Sequence, residues 1–157
     1  MAEEIAAGTA QAEIDEVTRL FFGAFSNRHG RPAVDVLYRL FLPRAVITKR
    51  TAAAVEVYDL AQFVEPRRQL LTDGSLVDFS EEETAAHTDI FGGIAQRLCT
   101  YRKAGVLAGR PFSGQGVKTI QFVCIGGEWK ISALAWEDER DGLPLPVIPG
   151  DRGLRST

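Results

Sequence analysis

The stretch VKTIQFVCI-GG-EWKISALAWE, from Val117 to Glu137, decides how this chain is read. Two runs rich in β-branched and aromatic residues flank Gly126-Gly127, the two-residue signature of a β-hairpin whose turn needs positive φ at both central positions. A tight hairpin sets Cys124 opposite Trp129, Phe122 opposite Ile131 and Val117 opposite Trp136. Both alternating phases carry apolar bulk. One holds Ile120, Phe122, Cys124, Trp129, Ile131 and Ala133, and the other Val117, Val123, Ile125, Leu134 and Trp136. In strict alternation Trp129 and Trp136 fall on opposite faces. A sheet with one solvated face alternates more cleanly than this. Its second face is therefore expected to be covered, by another copy of the chain or by the extended C-terminal tail.

Working back from the hairpin, everything after Gly74 reads as sheet. Val77 to His87 alternates, with Glu81, Glu83 and His87 in one phase. A turn falls near Phe91-Gly92-Gly93, and Ile94 to Lys103 forms a long strand. Ala104 to Gly116, rich in Gly and Pro, reads as a loop. Before Gly74 the period changes. Ile14, Val17, Leu20, Phe21, Ala24 and Phe25 recur at three- and four-residue steps, giving an amphipathic helix from Ala12. The segment NRHGRP (Asn27–Pro32) breaks it. Val34, Leu37, Tyr38, Phe41 and Leu42 predict a second, shorter helix that stops before Pro43. Short strands follow over 45–49 and 54–58. Asp59 with Gln62 makes a capping-box start for a third helix, which ends at Asp73-Gly74 and contains Pro66. This order predicts an α+β fold, three N-terminal helices packed in the concave face of a strongly curved, mostly antiparallel sheet. One domain spans 1–157, with its core at 12–137 and with 1–11 and 138–157 as extended or flexible tails.

Composition narrows the function classes. The 157 residues are 45% apolar and 25% charged with a net charge of −3, so Lys and Arg form no basic footprint for nucleic acid. Cys99 and Cys124 have neither CxxC spacing nor a flanking His, which argues against a zinc site and for free thiols in a reducing compartment. The acidic Met-Ala-Glu-Glu start lacks the features of a signal peptide, and no run approaches the ~18 apolar residues that cross a bilayer. The cytoplasm is the expected location. No GxSxG, GxGxxG or P-loop pattern occurs, and no cofactor is expected.

Several elements in this order carry a family likeness. Leu40-Phe-Leu-Pro-Arg-Ala-Val-Ile47, the helix start Asp59-Leu-Ala-Gln-Phe63, the strand Gly93-Ile-Ala-Gln-Arg97 and the hairpin Gly127-Glu-Trp-Lys-Ile131 resemble recurrent elements of the nuclear transport factor 2-like, cystatin-like superfamily, which includes polyketide cyclase-like members. The likeness covers roughly residues 12–137. It implies a cone whose open end, between helices and sheet, forms a pocket, and dimerisation through the sheet. It does not imply a reaction, because such folds host enzymes, binders and assembly modules alike. Aligned with the ketosteroid isomerase branch, the base falls near Lys49, the oxyanion tyrosine near Leu20 and the oxyanion aspartate near Ile120. None of these has the required chemistry. The scytalone dehydratase branch resembles a Tyr-Asp and paired-His pattern, whereas this chain has only His29 and His87.

The candidate site residues follow from phase and chemistry. His87, beside Glu81 and Glu83, is the candidate acid–base group. Arg97 and Tyr101 share a strand phase and suit a carboxylate or enolate ligand if that phase is concave; on the convex side they would be dimer contacts. Tyr38, Phe63 and Arg67 face inward on helical spacing and would close a pocket from above, with Trp136 at its mouth or at a subunit seam. The run Glu81-Glu82-Glu83 is read as a charged strand that discourages edge pairing rather than as a metal site. The sequence therefore points first to a homodimeric cone with an apolar pocket for a small organic ligand. A cofactor-independent isomerase, cyclase or dehydratase is the alternative.

Overall fold

The computed structural model describes residues 7–149. Helix α1 (Ala7–Gly23) leads into a 3-10 turn (Val34–Val36) and the single-turn α2 (Leu37–Leu40). Strands β1 (Phe41–Arg50) and β2 (Val55–Tyr58) precede α3 (Leu60–Thr72). Four long strands follow: β3 (Leu76–Phe91), β4 (Ile94–Leu107), β5 (Arg110–Ile125) and β6 (Glu128–Asp138). They form one sheet in the order β2-β1-β6-β5-β4-β3. Every pairing is antiparallel except β1 with β6. This is the expected curved α+β architecture, with the helices packed on one face.

The core shows why the helices sit there. Ala10, Ile14, Phe21 and Phe25 of the first helix and its C-terminal extension are buried with Phe41, Ile47, Phe63, Val64, Ile120, Phe122, Trp129 and Ile131. The aromatic rings meet edge to face, Phe21 with Phe25 and Phe41, and Phe25 with Phe63, at centroid distances of 5.4 to 5.9 Å. That geometry opposes ring edges to ring faces and adds to the gain from burial. The capping box predicted for α3 is present in both directions, Asp59 accepting from the Gln62 amide and Gln62 from the Asp59 amide. Asn27 ties the end of the helical layer to the sheet: its amide nitrogen donates to the Leu71 and Leu76 carbonyls and its side-chain oxygen accepts from Phe79 N–H.

Four expectations need correction. Helix α1 begins at Ala7, and Ala10 is fully buried, so residues 7–11 belong to the packed helix; the rest of the proposed lead-in, and 150–157 of the proposed tail, lie outside the described residues. The second helix is only one turn long, because Phe41 and Leu42 are already strand, and Pro43 lies where the β1–β6 register shifts. The supposed loop 104–116 is paired strand around a tight turn, with Ala108 and Gly109 both at positive φ. Finally, the last hairpin keeps its tight register only as far as Ile131. Ser132 is an extra residue, since Phe122 pairs with Ile131 but Gln121 with Ala133. This bulge inverts the phase, so Trp129 and Trp136 are both buried on the concave face and Val117 pairs with Glu137.

Candidate functional site

The concave face carries a row of charged and aromatic side chains. Arg97 and Tyr101, whose face alternation alone left open, both point inward: Arg97 is 5% exposed and Tyr101 fully buried. The Arg97 guanidinium forms a fork with Glu83, Nε to Oε2 at 2.9 Å and Nη2 to Oε1 at 2.6 Å. Its Nη1 also reaches Asp15 of α1 at 2.7 Å and Thr88 at 2.8 Å. Burial alone would lower the Arg97 pKa, but the two carboxylates outweigh it and raise it. Arg97 thus clamps α1 to the sheet and spends its donors on the protein.

One strand over, Lys118 is 5% exposed, and its ammonium lies 3.1 Å from Glu81. It stands 4.2 Å from the centroid of the Tyr101 ring and 5.0 Å from that of Trp136, with Phe21 and Phe22 at 5.8 Å. The ring faces offer a desolvated ammonium partial negative charge. The Tyr101 hydroxyl donates to Asp138, whose other oxygen accepts from Lys103 at 2.9 Å. Burial, then the Asp138 carboxylate, push the Tyr101 phenol far above its ordinary value. Burial would raise Asp138, but Tyr101 and Lys103 hold it below the usual carboxylate range. Neither Lys118 nor Asp138 was singled out from sequence. Lys118 alternates with Ile120 and Phe122 on a strand dominated by apolar residues, and that inward phase is its signal in the sequence.

On the far side of Trp136, Arg67 lies over the Phe63 ring at 4.2 Å, with Trp136 at 5.3 Å and Tyr58 at 5.5 Å. Phe63, Arg67, Tyr101 and Trp136 therefore lie together on the concave side. Tyr38 does not: it is 41% exposed, and its hydroxyl donates to Glu65 at 2.6 Å on the outer surface. His87 does not join them either. Thr84 is an extra residue in β3, because Glu83 pairs with Tyr101 and Ala85 with Thr100, and the phase inverts there. Glu81 and Glu83 face the cone, whereas His87 pairs with Leu98 on the convex face and contacts Asp89 at 2.9 Å, half exposed.

Two depressions flank this layout. A groove of about 750 Å³ opens between α1 and β3 and is lined by Thr18, Phe22, Glu81, Glu83 and Arg97. A second, of about 470 Å³, lies on the convex face over Val46, His87, Leu98, Thr119, Ala133 and Ala135. Among the described residues no group of three His, Cys, Asp or Glu is arranged to hold a metal ion, and no helix is long and apolar enough to cross a membrane.

These elements define the nuclear transport factor 2-like, cystatin-like fold. The chain is similar to a nuclear transport factor 2-like superfamily protein from Salmonella enterica serovar Typhimurium, with a TM-score of 0.70 and 14% identity over 92% of this chain and 99% of that one. It is similar also to an uncharacterised cystatin-like protein from Caulobacter vibrioides, with a TM-score of 0.66 and 16% identity over 86% and 93%. A third similar structure is hexachlorocyclohexane dehydrochlorinase LinA-type3 from Novosphingobium barchaimii, with a TM-score of 0.66 and 15% identity over 84% and 88%. No protein-family model and no curated protein matches the chain. At these identities the likeness is one of fold.

Proposed function

We propose that the chain is a homodimeric cone domain that binds a small organic molecule on its concave side. One observation carries this reading: the buried Lys118–Glu81 pair and the half-buried Arg67 surround a single indole, Trp136. Well-packed apolar residues would stabilise that interior as well or better, so charge there is a poor investment in stability alone. The groove between α1 and β3 gives Glu81 a route to solvent. The dimer reading rests on the convex face, where Val46 and Leu98 are exposed beside the small side chains of Ala133 and Ala135. The segment from Leu143 to Pro146 runs beside Val117 and Thr119 and accounts for only one end of that face.

Proton-transfer chemistry is the second reading, favoured by a carboxylate, Glu81, that lines a groove and has an ammonium 3.1 Å from it. In that reading the acid–base role moves from His87, on the other face, to Glu81. The similarity to a dehydrochlorinase indicates that the fold accommodates such chemistry.

The test is a thermal-shift screen of small neutral and charged organic compounds, with sedimentation run in parallel. At least one compound should raise the melting temperature of the wild type and lose its effect in Trp136→Leu. Leu98→Glu should convert a dimer to a monomer. A library without effect, or a wild type that sediments as a monomer, removes the corresponding half of the proposal.

A further inference from the structure

The cations of the concave side differ in one respect. Arg97 has two carboxylates, Lys118 has Glu81, and Lys103 has Asp138. Among the described residues Arg67 has no carboxylate within ion-pair distance; it donates from Nη1 to the Phe63 carbonyl at 3.0 Å and also hydrogen-bonds the Tyr58 hydroxyl, both of them uncharged partners. A guanidinium carries five N–H donors and stays protonated in proteins, so most of its donors and its whole charge are uncommitted. Glu56 and Glu81 act on it only from further off, and Glu56 is engaged by the Tyr58 hydroxyl. Burial lowers the Arg67 pKa, as expected for a cation short of counter-charge.

The surroundings define what would satisfy it. Phe63 lies under the guanidinium, with Tyr58 and Trp136 beside it, the latter two stacked at 18° with centroids 6.4 Å apart. A guanidinium that lies flat on a ring face presents its N–H edge parallel to that face. That edge matches the two oxygens of a carboxylate. One surplus charge calls for a monoanion, and aromatic walls call for an apolar body attached to it.

We infer that Arg67 is the anchor for the carboxylate of an apolar, monoanionic organic acid, held beside the rings of Tyr58, Phe63 and Trp136. This assignment rests on the small-molecule-binding reading and specifies its ligand class.

The experiment titrates benzoate, phenylacetate and cinnamate against their uncharged amides, by calorimetry and tryptophan emission, on wild type, Arg67→Gln and Arg67→Lys. Loss of a charge-assisted fork weakens binding by about tenfold to a hundredfold, so at least one acid should bind wild type that much more tightly than Arg67→Gln. Arg67→Lys should fall between, because it keeps the charge and loses the planar fork, and the matching amide should bind no better to wild type than to Arg67→Gln. Acids and amides binding alike, or undiminished acid binding in Arg67→Gln, overturns the carboxylate assignment and leaves the cone a binder of neutral molecules. Failure of both sets to bind wild type overturns the assignment and the small-molecule reading together.

Discussion

The Tyr101 ring occupies the space that a side chain on Gly116 would need. A Cβ at position 116 would stand 2.5 Å from Tyr101 Cζ and 2.6 Å from the Glu137 carbonyl oxygen, closer than carbon tolerates. Gly116 pairs directly with Tyr101 across β4 and β5, and its lack of a side chain lets the phenol pass over β5 to reach Asp138 on β6. Neither obstacle is the free end of a flexible chain. Gly116→Ala should therefore cost about 2–4 kcal/mol, in the range of overpacking combined with a lost buried hydrogen bond. Urea denaturation measures it. A change below 0.5 kcal/mol (about the scatter of neutral surface substitutions) would show that Tyr101 moves aside freely.

How far the sequence could be read depends on where its local rules were broken. Gly126-Gly127 announced the last hairpin, and Asp59 with Gln62 announced α3, because turn and cap chemistry are local. Alternation leaves the face of Arg97 and Tyr101 open and Trp136 at either a pocket mouth or a subunit seam, and all three lie on the concave side. Two single-residue bulges defeated strict alternation. Ser132 brings Trp136 to the same face as Trp129, and Thr84 sends His87 to the face opposite Glu83. A bulge depends on pairing between strands, and nothing in the residues themselves marks these two. The role of Lys118 is hidden in the sequence for a related reason, since its partner Glu81 lies 37 positions earlier and meets it only across the curved sheet.

The Tyr101–Asp138 contact predicts how stability follows pH. The folded Tyr101 pKa lies above the ordinary phenol value of about 10, so its protonated form is favoured by folding. That contribution is complete below about pH 10 and is lost as the pH climbs towards the folded value. Asp138 works in the other direction. Its folded pKa lies below the ordinary aspartate value of about 4, so its contribution is present above that pH and drains away as acid is added. Urea midpoints measured across pH should show a plateau with a falling limb at each end, and Tyr101→Phe should flatten the alkaline limb. Cys99, whose thiol burial pushes well above its ordinary value, and Tyr38 and Tyr58, raised by Glu65 and Glu56, leave a residual slope in that variant, so the limb becomes shallower rather than vanishing. An alkaline limb unchanged in Tyr101→Phe would remove Tyr101 as its source.

The Lys118–Glu81 pair yields the sharpest test of whether the interior charges serve stability. Removing one partner of a buried pair leaves the other desolvated and uncompensated, so Lys118→Met should destabilise the fold by about 3–5 kcal/mol. Replacing both partners removes that penalty. Methionine at both positions is close in volume to the original side chains and adaptable enough to pack against Phe21, Tyr101 and Trp136, rings that already contact the lysine. The double variant Glu81→Met with Lys118→Met should recover most of the loss and can equal the wild type in urea. Such recovery would mean that the pair is retained for what it does to a bound molecule rather than for the fold. A double variant as unstable as Lys118→Met alone would mean that the pair specifies the packing of the cone, and the strongest support for a functional interior would disappear with it.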